Sequence, residues 1–152
     1  MRLLKMLVAL SWLIVFSSHA GASDLTGETW SVCGWDGSSS WHDTRLVFTS
    51  QRSEKDGDVL EGYFDWRSNR GSFGREHFKG ILKPDGSLAL QGINLEESLS
   101  IVTSRYLARL SKSGTVLTEG VWLDGVPGVW AAVRDGGSGS AASLCEIPDL
   151  SV

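Results

Sequence analysis

The stretch from Val59 to Ile93 constrains the fold of this chain more than any other. It contains three segments in which apolar and polar residues alternate, separated by two short connections that carry glycine. Such alternation is typical of strands with one buried face, and short glycine-containing connections are typical of hairpins. The stretch therefore predicts a three-stranded antiparallel meander.

A short unit with a central glycine recurs in this meander and beyond it. Its copies begin at Leu60, Phe78, Leu90, Thr118 and Val126. Other alternating segments lie on both sides, and no segment keeps a helical period over a full helix length. We predict an all-β fold, an eight-stranded antiparallel up-and-down β-barrel that closes on itself. A two-sheet β-sandwich is the alternative.

Residues 1–22 predict a secretory signal peptide. Arg2 and Lys5 precede an apolar run from Met6 to Phe16, and small residues follow up to Ala22. The apolar run is too short to span a bilayer comfortably. We therefore expect an exported protein, secreted or periplasmic, without stable membrane insertion.

The two cysteines of the chain, Cys33 and Cys145, predict a disulfide bond, because single pairs in exported proteins are usually oxidised. We expect the barrel domain to occupy residues 23–135. The Gly- and Ser-rich tail, residues 136–152, would then be tied back to the first strand.

The charge balance excludes some partners. Without Arg2 and Lys5, the 14 basic residues fall to 12 against 18 acidic ones, a net charge of −6. No basic run remains that could follow a phosphate backbone. We expect no binding to nucleic acid or to anionic membranes.

A meander also predicts which connections lie at which end of the barrel. Its first, third, fifth and seventh connections lie at one end of the barrel, and these are the longer connections here, about 35–42, 68–74, 94–102 and 124–127. We call this end the mouth and the opposite end the floor. Five of the six tryptophans that follow the signal peptide are predicted at the mouth: Trp35, Trp41, Trp66, Trp122 and Trp130.

Aromatic rings around a concavity suit a small apolar or amphipathic ligand. Glu76 is the most informative polar residue, because alternation points it inward near the mouth, where a carboxylate needs solvent, hydrogen bonds or a partner. Arg67 is a second candidate polar anchor. The predicted ligand-binding residues are Trp41, His42, Trp66, Arg67, Glu76, Trp122 and Trp130.

Two alternatives remain open for this end of the barrel. The tryptophans could be core residues without any ligand. The inward glycines, Gly62, Gly80, Gly92 and Gly120, could leave a cavity, or they could let the strands bend while neighbouring rings fill the space.

Catalysis is not expected. The chain lacks the known nucleophile and metalloprotease motifs, and after the signal peptide it contains only two histidines, His42 and His77. Two isolated histidines without a cysteine cluster predict no metal site. We expect no catalytic residues and no cofactor.

The sequence therefore predicts an exported, non-catalytic binding protein that holds a small apolar or amphipathic ligand at a Trp-rich mouth. The alternative is a module that binds an exported protein or inhibits an enzyme through the mouth loops around Trp41 and His42. A third possibility is an accessory domain of a cell-envelope complex.

The segment Leu25-Thr-Gly27-Glu-Thr-Trp30, followed by an eight-strand meander, resembles the opening of secreted calycin-type barrels, the lipocalin and avidin group. Those families begin with Gly-x-Trp, whereas two residues separate Gly27 from Trp30 here. The resemblance implies a closed barrel, and it does not imply biotin binding. The chain is also similar to small exported barrels that inhibit lysozyme, in which a first-strand cysteine is tied to one near the C-terminus, although their inhibitory loop motifs are absent here.

Overall fold

A computed structural model describes residues 23–136, and residues 1–22 and 137–152 lie outside the described part. The described residues form eight strands and no helix, so the all-β prediction is confirmed. The strands are β1 (Thr29–Trp35), β2 (Thr44–Glu54), β3 (Gly57–Arg67), β4 (Phe73–Leu82), β5 (Ser87–Leu99), β6 (Arg105–Leu110), β7 (Val116–Trp122) and β8 (Gly128–Arg134).

The strands form one closed antiparallel barrel in sequence order. Each strand pairs with the next, and β8 pairs with β1 from Trp30↔Arg134 to Trp35↔Val129. Closure leaves no sheet edge unpaired, and it excludes the two-sheet sandwich. The topology is compatible with a calycin-like barrel.

β5 is longer than the sequence predicted. It continues to Leu99, into the segment 94–102 that was expected to be a mouth connection. Pairing with β4, as in Glu76↔Leu95, holds this segment extended. At the opposite end of the barrel, β2 continues to Glu54 and β3 begins at Gly57, so only two residues separate these strands.

The interior towards the floor is packed with aromatic rings. Trp30, Phe48, Phe64 and Phe78 are almost fully buried, and neighbouring rings in this set have centroids 5.3–6.0 Å apart. Leu25, which precedes β1, is 0% exposed and packs into the same core. The N-terminal segment therefore helps to close the floor.

The inward glycines accommodate neighbouring groups. A Cβ atom added to Gly62 would lie 2.7 Å from Cζ of Phe78, and one added to Gly120 would lie 2.8 Å from Cγ of Trp130. Both distances are too short for real contacts. Of the two readings of these glycines, the structure therefore supports filled space beside them rather than an empty interior.

Three further sequence predictions concern residues that lie wholly or partly outside the described part of the chain. Cys33 lies on β1 and is 1% exposed, but Cys145 lies outside the described part, so the disulfide stays a prediction. The signal peptide and most of the tail lie outside it as well. Among residues 23–136, no helix has the length and apolar character needed to cross a membrane.

Candidate functional site

A cavity of about 260 Å³ opens at the mouth of the barrel. Its walls combine aromatic, acidic, aliphatic and small residues from three mouth-end connections and from the adjoining strands. The lining residues are Asp36, Trp41, Trp66, Glu76, Ser100, Ile101, Val102, Ser104, Tyr106, Trp122, Asp124, Gly125 and Val126.

Three tryptophans provide most of the aromatic wall. Trp41 lies 5.6 Å from Trp66 and 6.5 Å from Trp122, and Trp66 lies 5.7 Å from Trp122, between ring centroids. Each pair of rings is steeply inclined, at 67° to 82°. The rings therefore form separate walls that meet at angles rather than one stack.

Trp122 is fixed by its backbone surroundings. Its ring lies against Gly34 and Gly128, where a Cβ atom at either position would overlap it. Its indole Nε1 donates a hydrogen bond of 2.6 Å to the carbonyl oxygen of Val126. Glycine on β8, which pairs with β7, and on β1, the next strand around the barrel, is thus what admits a large ring at this position.

Glu76 lies at the inner end of the cavity and is 1% exposed. Its Oε2 accepts hydrogen bonds from Nε1 of Trp66, at 3.0 Å, and from the hydroxyl of Tyr106. Its Oε1 accepts a bond of 2.7 Å from the backbone N–H of Ser104. All three donors are neutral groups, so the carboxyl is well hydrogen-bonded without a neighbouring cation among the described residues.

Gly92 allows the side chain of Glu76 to cross the sheet. Glu76 is on β4 and Ser104 precedes β6, so the carboxyl must pass over the intervening strand β5. A Cβ atom at Gly92 would overlap Oε1 of Glu76, and the register of β4 and β5 shifts beside it, between His77 and Phe78. The glycine therefore makes room for a carboxylate.

Burial raises the pKa of Glu76 above its ordinary value, because a charged carboxylate loses solvation there, while the bonds from Tyr106, Ser104 and Trp66 act in the opposite direction. Burial likewise raises the pKa of the Tyr106 hydroxyl, and the adjacent Glu76 charge adds to the effect. The Tyr106 hydroxyl therefore stays protonated at neutral pH.

Two further carboxylates stand at the cavity rim. Partial burial acts to raise the pKa of Asp36, but bonds from the amides of Ser38 and Ser39 keep it below its ordinary value. Oδ2 of Asp36 also accepts a bond of 3.2 Å from Nε1 of Trp41. A bidentate salt bridge with Arg105, with both hydrogen bonds at 2.9 Å, lowers the pKa of Asp124. Both rim carboxylates are ionised at neutral pH.

The structure brings together four of the seven residues that the sequence predicted to bind ligand: Trp41, Trp66, Glu76 and Trp122. Trp130 lies deeper, packed against Phe64 with centroids 5.7 Å apart, and does not line the cavity.

The other two predicted residues, His42 and Arg67, are exposed and line a separate depression of about 910 Å³. Charged side chains in its walls form salt bridges with one another, as in the bidentate pair of Arg75 and Asp65 at 2.7 and 3.0 Å. Such a surface is typical of a solvated barrel exterior. We therefore place the candidate site in the smaller aromatic cavity.

Sequence reasoning missed several residues of the site. Nothing in the sequence indicated that the hydroxyl of Tyr106 would meet Glu76. Ser104 contributes a backbone N–H, which side-chain patterns do not reveal. Asp36 shows a weak local signal, because an Asp-Gly-Ser segment is typical of a turn whose carboxylate caps backbone amides.

The fold and site together define an eight-stranded antiparallel barrel with a small, acid-lined aromatic cavity at one end. Among residues 23–136, no group of His, Cys, Asp and Glu side chains is placed to hold a metal ion. No protein-family model matches the sequence, and no curated protein and no solved structure matches it either.

Proposed function

We propose that this protein is an exported, non-catalytic binding protein that holds a small, partly apolar ligand in the mouth cavity. One observation supports the proposal most: three tryptophans and a buried, hydrogen-bonded carboxyl converge on the same concavity. Ligand pockets generally combine aromatic walls with a few convergent polar groups. The calycin-like assignment of the barrel belongs to this proposal as well.

The cavity dimensions limit the ligand. A volume of about 260 Å³ lies just below the range of roughly 300–1,000 Å³ in which drug-sized ligands usually bind. Below the mouth, the rings of Phe64 and Phe78 are buried in the core and lie 5.3 Å apart between centroids. The ligand is therefore one ring, one small head group or the end of a chain, rather than a whole lipid.

Titration of tryptophan fluorescence with small lipids, sugars and aromatic compounds tests this proposal. A matched pair of variants locates the response. Val126→Phe narrows the cavity entrance, whereas Val129→Phe enlarges an exposed side chain on β8 outside the cavity. We expect binding to weaken at least tenfold, about 1.4 kcal/mol, in the first variant only. Equal binding by both variants, or no response to any compound, would contradict the proposal.

A second candidate function is protein binding through the mouth. It is favoured by four apolar side chains at the mouth end of the barrel that are 42–59% exposed: Val102 and Val126, which line the cavity, and Phe73 and Leu99, which pair across β4 and β5. Exposed apolar clusters are typical of interaction sites. A stoichiometric exported partner that is lost with Val102→Asp but kept with a matched Leu107→Asp change on the outer face would support this candidate.

A further inference from the structure

The ionisable side chains that line the mouth cavity are all acidic, apart from the phenol of Tyr106. Asp36, Glu76 and Asp124 line it, and no lysine, arginine or histidine among the described residues does. The charge of Asp124 is offset by its pairing with Arg105. Within residues 23–136, Asp36 and Glu76 have hydrogen-bond donors but no cation as a partner. The cavity therefore offers negative charge that the described residues do not neutralise.

The aromatic walls favour the same sign of ligand charge. The faces of indole and phenol rings are electron-rich and attract a cation placed within about 6 Å of the ring centroid. Trp41, Trp66 and Trp122 all line the cavity, and they contact one another edge to face with centroids 5.6–6.5 Å apart. A cation in the cavity would therefore lie next to electron-rich indole rings.

An anionic ligand meets the opposite conditions. A fatty acid or other carboxylate that enters head-first would bring its charge towards Glu76, and one that enters tail-first would leave its charge near Asp36. Like charges in a partly desolvated site repel strongly. A neutral apolar ligand would contact the rings but would leave the ionised Asp36 without a counterion and would favour the uncharged acid form of Glu76.

From this arrangement we propose that the mouth cavity selects a small organic cation, an alkylammonium or quaternary ammonium head group with an apolar body. The ammonium would lie between the tryptophan rings and the carboxyl of Glu76, and the apolar body would contact Ile101 and Val102 towards the rim. This inference rests on the proposed small-ligand function and names the chemical class of that ligand.

Three probes of nearly equal shape test the charge directly. Choline carries a trimethylammonium head, neohexyl alcohol has carbon in place of the nitrogen, and tert-butylacetate carries a carboxylate instead. Calorimetry on the full exported protein at fixed ionic strength would compare them. We expect choline to bind at least about tenfold more tightly than neohexyl alcohol, because a desolvated cation–π contact is worth that much. We expect tert-butylacetate to bind most weakly.

Charge-neutral variants identify the residues responsible. Glu76→Gln and Asp36→Asn should each reduce the preference for choline over neohexyl alcohol by threefold or more, a factor of roughly the size expected for one partly desolvated charge. Asp43→Asn is the matched control, because it removes an exposed carboxylate near the mouth but outside the cavity. It should leave the preference unchanged. Two independent cavity variants keep the test decisive if one of them folds poorly.

The outcomes separate this inference from the proposed function. Equal or tighter binding of neohexyl alcohol or tert-butylacetate would overturn the cationic ligand and leave the small-ligand cavity standing. A preference for choline that Asp43→Asn abolishes as strongly as Glu76→Gln would also overturn it, because the attraction would then come from overall charge. Failure of every probe, together with failure of the wider fluorescence panel, would overturn both.

Discussion

Removal of the Tyr106 hydroxyl is the sharpest test of the hydrogen-bonded carboxyl. In Tyr106→Phe, Oε2 of Glu76 keeps only the bond from Trp66, and the change occurs at a position that is 3% exposed. A hydrogen bond to a charged group contributes about 1.5–3 kcal/mol, and one to a neutral group about 0.5–1.5 kcal/mol. We expect the free energy of unfolding to fall by the larger amount when Glu76 is ionised and by the smaller amount when it is protonated.

The pH dependence has a definite sign. Burial raises the pKa of Glu76 in the folded protein above the value in the unfolded chain. The protonated carboxyl therefore adds stability that is fully present below the unfolded pKa and is lost as the pH rises through the folded pKa. The Tyr106 hydrogen bond acts to lower this pKa, so its removal raises the pKa further. The total stability lost as the pH rises then becomes larger. The cost of Tyr106→Phe must grow with pH.

Urea unfolding from about pH 4, near the ordinary glutamate pKa, to about pH 9 would measure this cost. Tyr63→Phe is the matched control, because Tyr63 is the other tyrosine of the chain and its ring, beside Arg75, lies on the outer face. The control should change stability by less than about 0.5 kcal/mol at every pH. A Tyr106→Phe cost that equals the control, or that shrinks as the pH rises, would refute the described role of the hydroxyl.

Three other changes test the packing around the site and the covalent structure. Gly92→Ala should displace the carboxyl of Glu76 and cost about 1–3 kcal/mol in urea unfolding, because the new Cβ would overlap Oε1 and leave buried donors unpaired. Leu25→Ala should cost about 2–5 kcal/mol in the same assay, since Leu25 is fully buried at the floor, and a value below 1 kcal/mol would contradict that packing. Reduction of the purified protein should add the mass of two hydrogens, for Cys33 and Cys145, and lower stability by about 2–5 kcal/mol; an unchanged mass would exclude the bond.

The barrel and its direction could be predicted from the sequence because both depend on local signals. Alternation within Val59–Ile93 determines which side chains point inward, and short hairpins place alternate connections at the same end. These two rules bring Trp66 and Glu76 to the mouth. They also place Arg67 on the outer face, one residue after Trp66. To anchor a ligand in the cavity, the Arg67 side chain would have to reach back over the rim. It lines the outer depression instead.

The remaining parts of the site depend on events that no periodic pattern encodes. The register shift beside Gly92 arises from the pairing of β4 with β5, and it allows Glu76 to reach Ser104 two strands away. Leu25 closes the floor from a segment that precedes the first strand and has no alternation of its own. In both cases the contact joins chain segments far apart in sequence, which is where single-sequence reasoning loses information.

The three donors around Glu76 explain how this position can change charge without a rearrangement of the site. The N–H groups of Trp66 and Ser104 can only donate, and they contact different oxygens. The Tyr106 hydroxyl can donate to a carboxylate or accept from a carboxylic acid, so rotation of one hydrogen accommodates either state. A cation in the cavity would favour the carboxylate, and an empty or apolar-filled cavity would favour the acid.

The same geometry determines how a Glu76→Gln variant must be interpreted. Whichever way the amide is turned, its NH₂ group faces the N–H of either Trp66 or Ser104, and one buried donor loses its acceptor. The variant should therefore lose about 1–3 kcal/mol of stability and bind every ligand somewhat more weakly. Only the ratio of cation affinity to neutral-isostere affinity is free of this shared loss, because both probes meet the same disturbed cavity. A fall in that ratio would consequently report the missing charge of Glu76 rather than the damaged hydrogen bonds.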